Sequence, residues 1–169
     1  MFEFLGEENL GIIVNMISGI QKSISIINNE RFRILNSLDF KLHNKIEMQS
    51  IAPKYFVKCK FKDFAPNVFQ EIRKFFGIQN EDYLNSIGVN NFESAFFKKY
   101  KVLNGEKSSG KSGSFFFNTE DGKYMIKTIP KEEFDLLKNI LPNYYRYIVE
   151  HQKTLLPRFF GLHQIKCYK

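Results

Sequence analysis

Apolar residues recur at three- and four-residue steps in three parts of the chain, and this spacing predicts amphipathic helices. The first stripe runs from Leu10 to Ile27, the second covers residues 68–76, and the third covers residues 134–148. Gly77 is placed to end the second helix, and Pro142 should kink or divide the third. The first stripe is typical of a helix docked on its own core, and a dimer-forming helix is the alternative.

A different period marks the segment between the first two helices. Residues 56–62 alternate cleanly, with Val57, Cys59 and Phe61 predicted on one side of a strand. The opposite side then carries three lysines, which are Lys58, Lys60 and Lys62. This pattern predicts a half-buried strand with a lysine face.

Two short aromatic segments later in the chain, residues 114–118 and 123–128, are predicted strands. The Asp121-Gly122 pair between them is a strong signal for a hairpin turn. Residues 82–87 are predicted to form a shorter helix, and a strand is expected after the third long helix. These elements predict an α+β fold in which an antiparallel sheet carries the hairpin and helices flank it.

Length and composition narrow this picture. A chain of 169 residues is expected to form one domain, with 19 Phe, 8 Tyr and no Trp in a largely aromatic core. We distinguish an N-terminal part, residues 10–103, from a glycine-loop part, residues 104–169.

The formal charge of +7 favours anionic partners, but no nucleic-acid recognition motif accompanies it. The two cysteines and the acidic start are typical of a reducing, intracellular compartment.

The most informative loop is polar and rich in glycine, and it spans residues 104–113. Residues 105–112 fit the pattern of a P-loop literally. However, a P-loop needs a helix that begins at its lysine, and here a glycine, a Phe triplet and a turn follow. The sequence therefore disfavours a P-loop nucleotide hydrolase.

A kinase-type loop requires a glycine-rich turn inside a hairpin and a lysine on the following strand. Gly110 and Gly113 would let the backbone approach a phosphate, and Lys127 follows on the next predicted strand. An ordinary hairpin with a glycine turn is the alternative on spacing alone.

Four motifs occur in order after residue 108. They are Ser109-Gly-Lys-Ser-Gly-Ser-Phe-Phe-Phe, Met125-Ile-Lys-Thr, Ile140-Leu-Pro-Asn-Tyr-Tyr and Thr154-Leu-Leu-Pro-Arg-Phe-Phe-Gly-Leu. Together they resemble the phosphatidylinositol phosphate kinase family, in particular the phosphatidylinositol-4-phosphate 5-kinases. Upstream, Phe61-Lys-Asp-Phe-Ala-Pro and Asp82-Tyr-Leu-Asn-Ser are also similar to the family's N-terminal segment. The resemblance implies the N-terminal lobe of a lipid kinase related in fold to protein kinases.

The resemblance also implies site residues. The loop that covers the ATP phosphates corresponds to Gly110, Lys111, Ser112, Gly113 and Ser114, and the lysine that contacts them corresponds to Lys127. An acidic residue that orients this lysine matches Glu133, with Glu132 as its neighbour. Two glutamates that simply favour the dipole of a helix N-terminus are the alternative.

Family members act at anionic membranes through a flat basic face on which a homodimer also forms. The lysine face of Lys58, Lys60 and Lys62 matches residues of that face, and the alternative is a solvated strand edge guarded by lysines. The resemblance therefore implies a cytoplasmic protein at the periphery of a membrane. A non-catalytic module that dimerises or binds anionic lipid is the alternative function.

The family's catalytic and magnesium-binding aspartates lie in Asp-Leu-Lys-Gly-Ser and Ile-Ile-Asp motifs, and neither string occurs here. We therefore expect ATP and a phosphoinositide as partners, the Mg²⁺ ligands outside this chain, and no turnover by the chain alone. The histidines His43, His151 and His163 lack metal-ligand spacing and are expected to be structural or exposed.

Overall fold

The computed structural model describes residues 7–28, 34–51, 56–87, 100–102, 116–119 and 121–169. Within these residues the chain forms helices and antiparallel strands, so the predicted α+β class is confirmed. The helices are α1 (Glu7–Asn28), α2 (Pro66–Phe75), α3 (Asn80–Ile87) and α4 (Lys131–Glu150). The strands are β1 (His43–Gln49), β2 (Lys58–Phe64), β3 (Tyr100–Val102), β4 (Phe116–Thr119), β5 (Met125–Lys127) and β6 (His163–Tyr168).

The first sheet has the strand order β1-β2-β6, and both pairings are antiparallel. Helix α1 packs against its inner face, where Ile20 and Ile24 join Cys59 and Phe61 in one buried cluster. The apolar stripe of α1 is therefore used within the chain, as the first of the two sequence interpretations predicted.

The approach between α1 and β2 is unusually close at Gly19. A methyl group added at this glycine would overlap the ring of Phe61, which is itself fully buried. The ring of His163 also stacks on Phe61, with 5.4 Å between the ring centroids. Gly19 is needed here because only a residue without a side chain lets the helix backbone lie against an aromatic ring.

A second buried cluster joins α2 and α4. It contains Val68, Phe69 and Ile72 of α2, and Leu141, Tyr144 and Ile148 of α4. Gly77 ends α2 in the left-handed conformation (φ 73°), as its position predicted.

Helix α4 runs through Pro142 without a break, so of the two effects expected of this proline, a kink or a division, the division is wrong. A proline inside a helix costs about 3 kcal/mol or more. Leu141 before it and Tyr144 and Ile148 after it are all buried in the second cluster. Burial of these side chains on both sides of Pro142 offsets the cost and keeps one helix.

The side chain of Tyr144 makes two hydrogen bonds to the segment that leads from α4 to β6. The hydroxyl of Tyr144 donates a hydrogen bond to the carbonyl of Pro157 (2.7 Å) and accepts one from the amide of Phe159 (2.8 Å). Burial raises the pKa of this phenol, against the hydrogen bond from Phe159 and the charge of Arg158. Tyr144 therefore stays a neutral donor and acceptor.

The second sheet has the order β3-β4-β5, and the predicted hairpin is its β4-β5 pair. The predicted antiparallel sheet that carries the hairpin is therefore confirmed, and the lysine strand β2 lies in the other sheet. The prediction for Val57 is wrong, because β2 begins at Lys58 and Val57 is 64% exposed at the bend before it.

Candidate nucleotide-binding site and lysine face

Lys127 lies at the end of β5, on the exposed side of the hairpin. The register places it opposite Phe116 of β4. Along β5 the exposed residues Met125 and Lys127 alternate with the half-buried Ile126, as the two-residue period of a strand requires. The ammonium group of Lys127 lies 5.8 Å from the centre of the Phe116 ring, close enough for a cation–π contact.

The carboxylate of Glu133 lies beside Lys127. Its Oε2 atom is 3.3 Å from Nζ of Lys127, and the two side chains are 45% and 40% exposed. Glu133 belongs to the first turn of α4, which begins directly after Pro130. The fold thus distinguishes Glu133 from its neighbour Glu132, which the sequence left as the other choice.

An exposed ion pair of this kind contributes little to stability. It does fix the direction of a long and otherwise unconstrained lysine side chain. The ammonium remains accessible to an anion from solvent, because a large part of its side chain is exposed. The pair can therefore present a positive charge in a defined place.

The predicted glycine loop, with Gly110, Lys111, Ser112, Gly113 and Ser114, lies outside the described residues. The strands on either side of it are described, and Val102 of β3 pairs with Phe117 of β4. Because Phe116 faces Lys127 across the next pairing, residues 103–115 are joined to the sheet at the end where Lys127 lies. Phe116, the first described residue after this segment, thus pairs with Lys127.

The three predicted lysines share one face of the first sheet. Lys58, Lys60 and Lys62 alternate with the buried Cys59, Phe61 and Asp63, as the sequence predicted. Neighbouring strands add two lysines at paired positions, because Lys45 is opposite Lys62 and Lys166 is opposite Lys60. We call these five residues the lysine face.

One acidic residue, Glu47, lies at a paired position on the lysine face, opposite Lys60. Its Oε1 atom is 2.9 Å from Nζ of Lys60. The hydrogen bond from Lys60 lowers the pKa of Glu47, and the same contact raises the pKa of Lys60. Both groups therefore stay ionised, and the face keeps a positive excess.

His43 is a titratable residue close to the lysine face. The pKa of His43, at the start of β1, is lowered first by burial and then by the charges of Lys45, Lys62 and Lys138. A field that disfavours the imidazolium form is a field that attracts anions.

Among the described residues no cluster of three His, Cys, Asp or Glu side chains could hold a metal ion. The aspartates have contacts of a structural kind. Asp63 accepts from Ser23 (2.6 Å) and lies 3.0 Å from Nδ1 of His163, while Asp39 accepts from the amide of Asn36 (2.8 Å).

Comparison with known proteins shows which family the chain resembles. Residues 97–169 match the sequence model of the family described as phosphatidylinositol-4-phosphate 5-kinase. The resemblance to the phosphatidylinositol phosphate kinases is confirmed. The region matched to this family contains the hairpin, Lys127, Glu133 and β6.

Whole-chain similarity to members of this kinase family is also clear. The chain is 36% identical over 164 residues to a phosphatidylinositol 4-phosphate 5-kinase of Plasmodium falciparum. It is 35% identical over 165 residues to the 5-kinase its3 of Schizosaccharomyces pombe, and 33% identical over 168 residues to 5-kinase 3 of Arabidopsis thaliana. These alignments cover 96%, 95% and 95% of the chain, but only 9%, 21% and 22% of the respective kinases.

Two residues of the lysine face, Lys45 and Lys166, were not predicted from the sequence. They belong to the face because of the register of β1 and β6 with β2, and the sequence of one strand does not show which strands pair with it.

No helix of the described part of the chain is both long and apolar enough to cross a bilayer.

Proposed function

We propose that this chain is the ATP-binding part of a phosphatidylinositol phosphate kinase. The observation that carries the proposal is the Lys127–Glu133 pair, which stands at the end of the hairpin where residues 103–115 attach. In this arrangement the ammonium of Lys127 binds phosphate oxygens of ATP, and Glu133 keeps that ammonium directed toward them. Backbone amides between Gly110 and Ser114 cover the same phosphates.

The proposed reaction is transfer of the γ-phosphate of ATP to a hydroxyl of the inositol ring of a phosphoinositide. Such a transfer depends on charge neutralisation at the phosphates and on carboxylates that hold Mg²⁺. In this proposal Lys127 supplies the first, and no group of three His, Cys, Asp or Glu side chains among the described residues could hold a metal ion for the second. We therefore propose that the chain binds ATP and that turnover requires further residues of a longer kinase.

Titration of the chain with ATP in the presence of Mg²⁺ tests this proposal. We expect saturable binding that ADP competes away, because both nucleotides carry the β-phosphate. A chain that binds vesicles but shows no saturable ATP binding would instead favour the non-catalytic alternative.

We further propose that the lysine face binds anionic lipid headgroups. Five lysines and one glutamate share a surface built on three paired strands. After burial, the charges of Lys45 and Lys62 on this surface also act to lower the pKa of His43. Lysines near an anionic membrane each contribute about 1 kcal/mol to binding. A homodimer on the same surface remains a prediction.

Replacing Lys58, Lys60 and Lys62 by Gln is expected to weaken binding to vesicles of mixed neutral and anionic lipid. Three lysines at about 1 kcal/mol each correspond to roughly a hundredfold loss of affinity. Co-sedimentation with vesicles over a range of lipid concentrations measures the change. The difference from wild type should shrink as salt is raised, because salt screens exposed charges.

A matched control separates the lysine face from net charge. The triple variant Lys22→Gln, Lys74→Gln and Lys153→Gln lowers the formal charge by the same amount, but its sites lie on α1, α2 and the segment after α4. This variant should bind vesicles nearly as well as wild type. Equal losses in the two triple variants would contradict a specific lysine face.

A further inference from the structure

Two sequence motifs to which the proposed function gives no role meet in the fold. The Asp82-Tyr-Leu-Asn-Ser motif forms most of α3, and the Asp121-Gly122 turn joins β4 to β5. The hydroxyl of Ser86 donates a 2.8 Å hydrogen bond to Oδ1 of Asp121. Ser86 is buried, so this bond connects the buried face of α3 to the turn of the hairpin.

Asp121 organises the turn as well as the bridge to α3. Its Oδ1 also accepts from the hydroxyl of Thr119 (2.6 Å) and from the amide of Lys123 (3.2 Å). Although partial burial acts to raise it, the hydrogen bonds from Thr119, Ser86 and Lys123 bring the pKa of Asp121 down to about 2. The carboxylate is therefore ionised, and a charged acceptor makes stronger hydrogen bonds than a neutral one.

Aromatic packing fixes the same end of the hairpin. The ring of Tyr124 meets the edge of Tyr83 at 5.0 Å and that of Phe160 at 5.8 Å between ring centroids. Tyr83 and Ser86 are three residues apart on α3 and so lie on one face of the helix. The turn of the hairpin is thus held on α3 by one polar contact and one aromatic contact.

The hairpin has a second attachment at its other end, where Lys127 meets Glu133 of α4. Beyond the turn, the three residues of β5 rise by about 3.3 Å each, which is roughly 10 Å of extended chain that ends at Lys127. The direction of β5 therefore depends on the contacts at its two ends, Asp121 with Ser86 and Lys127 with Glu133. A shift of the turn on α3 would therefore move Lys127 relative to Glu133.

We infer that Ser86 and Asp121 are positioning residues for nucleotide phosphate binding, because their hydrogen bond holds the hairpin in the place where Lys127 reaches Glu133. The inference rests on the proposed function of Lys127. Ser86 and Asp121 do not contact the nucleotide in this account, and they act through the position of the hairpin.

The substitution Ser86→Ala tests the bridge without breaking the turn. It removes the hydrogen bond from α3, while Thr119 and Lys123 still donate to Asp121. We expect an approximately fivefold weaker affinity for ATP, which is the usual scale of one net hydrogen bond. Hydrogen exchange of the peptide that covers residues 116–127 should become faster in the nucleotide-free chain.

Ser23→Ala is the matched control. Ser23 on α1 donates a 2.6 Å hydrogen bond to Asp63 of β2, so this variant also removes a bond between a helix serine and an aspartate. It should lower stability but leave ATP affinity and exchange in the hairpin unchanged. Asp121→Asn, which keeps an oxygen acceptor, should retain most of the ATP affinity that Asp121→Ala loses.

Each outcome decides the inference. Weaker ATP binding and faster hairpin exchange in Ser86→Ala, with neither in Ser23→Ala, supports it. Unchanged hydrogen exchange of the hairpin in Ser86→Ala would show that the hydrogen bond to Asp121 does not hold the hairpin, whatever the affinity for ATP. Faster hydrogen exchange with unchanged affinity for ATP would overturn the positioning role, while the proposed function would stand. If the wild-type chain binds no ATP, the proposed function fails and the positioning role fails with it.

Discussion

Lys127→Ala is expected to abolish phosphoryl transfer in a full-length kinase that carries this chain. The substitution removes the ammonium that we assign to the ATP phosphates and leaves Glu133 as an unpaired negative charge beside them. Loss of one group that stabilises developing charge commonly costs about a hundredfold or more in turnover. The measurement is ATP-dependent phosphorylation of phosphoinositide in vesicles, with vesicle binding followed in parallel.

The control for this prediction lies on α4, the helix that carries Glu133. Lys138→Ala removes a lysine of α4 that stacks on Phe64 and Phe134 rather than on Glu133, and turnover should stay close to wild type. Vesicle binding by Lys127→Ala should be nearly intact, because Lys127 is not part of the lysine face. Undiminished turnover in Lys127→Ala would remove the role that we assign to this residue.

Phe61→Ala is expected to lower the free energy of unfolding by about 3–5 kcal/mol. The ring is fully buried, lies against the backbone of α1 at Gly19 and stacks on His163. The helix cannot easily fill the resulting cavity, because α1 contacts β1, β2 and β6 along its length. A loss of this size is a large part of the roughly 5–15 kcal/mol that stabilises most domains.

Urea unfolding followed by circular dichroism measures this loss. Leu155→Ala is the control, because Leu155 is fully exposed and its truncation should change the free energy of unfolding by no more than about 0.5 kcal/mol. A loss of less than about 1 kcal/mol in Phe61→Ala would contradict the packing of α1 on β2.

The helices were the part of the fold that the sequence predicted best. The apolar stripe of α1 repeats over several turns, and Ile17, Ile20, Ile24 and Ile27 are all buried as the period requires. A long apolar period predicts a helix from many residues at once, so one unfavourable residue such as Pro142 does not prevent α4 from forming. Short elements lack this redundancy.

Strand β1 was missed for that reason. Its sequence, His-Asn-Lys-Ile-Glu-Met-Gln, contains two apolar residues, Ile46 and Met48, and so gives a weak alternation. Its place in the sheet comes from pairing with β2, which is a long-range property. The division into two sheets was not predicted for the same reason, because the local sequence of a strand does not show which strands it will pair with.

The candidate site divides in the same way. Lys127 was predicted because a glycine-rich segment and a lysine strand at a fixed distance carry a physical meaning, and its role in phosphate binding stays a prediction. The preference for Glu133 over Glu132 came from the family resemblance, and the contact of Glu133 with Lys127 depends on where α4 begins relative to the end of β5. The bridge between Ser86 and Asp121 joins residues 35 positions apart, and only the folded chain shows it.

Chemical labelling of Lys127 during an ATP titration tests the central claim most directly. An amine-reactive acylating reagent, read out by mass spectrometry, reports the accessibility of each lysine with and without ATP and Mg²⁺. We predict that ATP protects Lys127 in proportion to its occupancy, while Lys138 and Lys58 are labelled at unchanged rates. Equal labelling of Lys127 in the absence and presence of saturating ATP would contradict its assignment to the nucleotide phosphates.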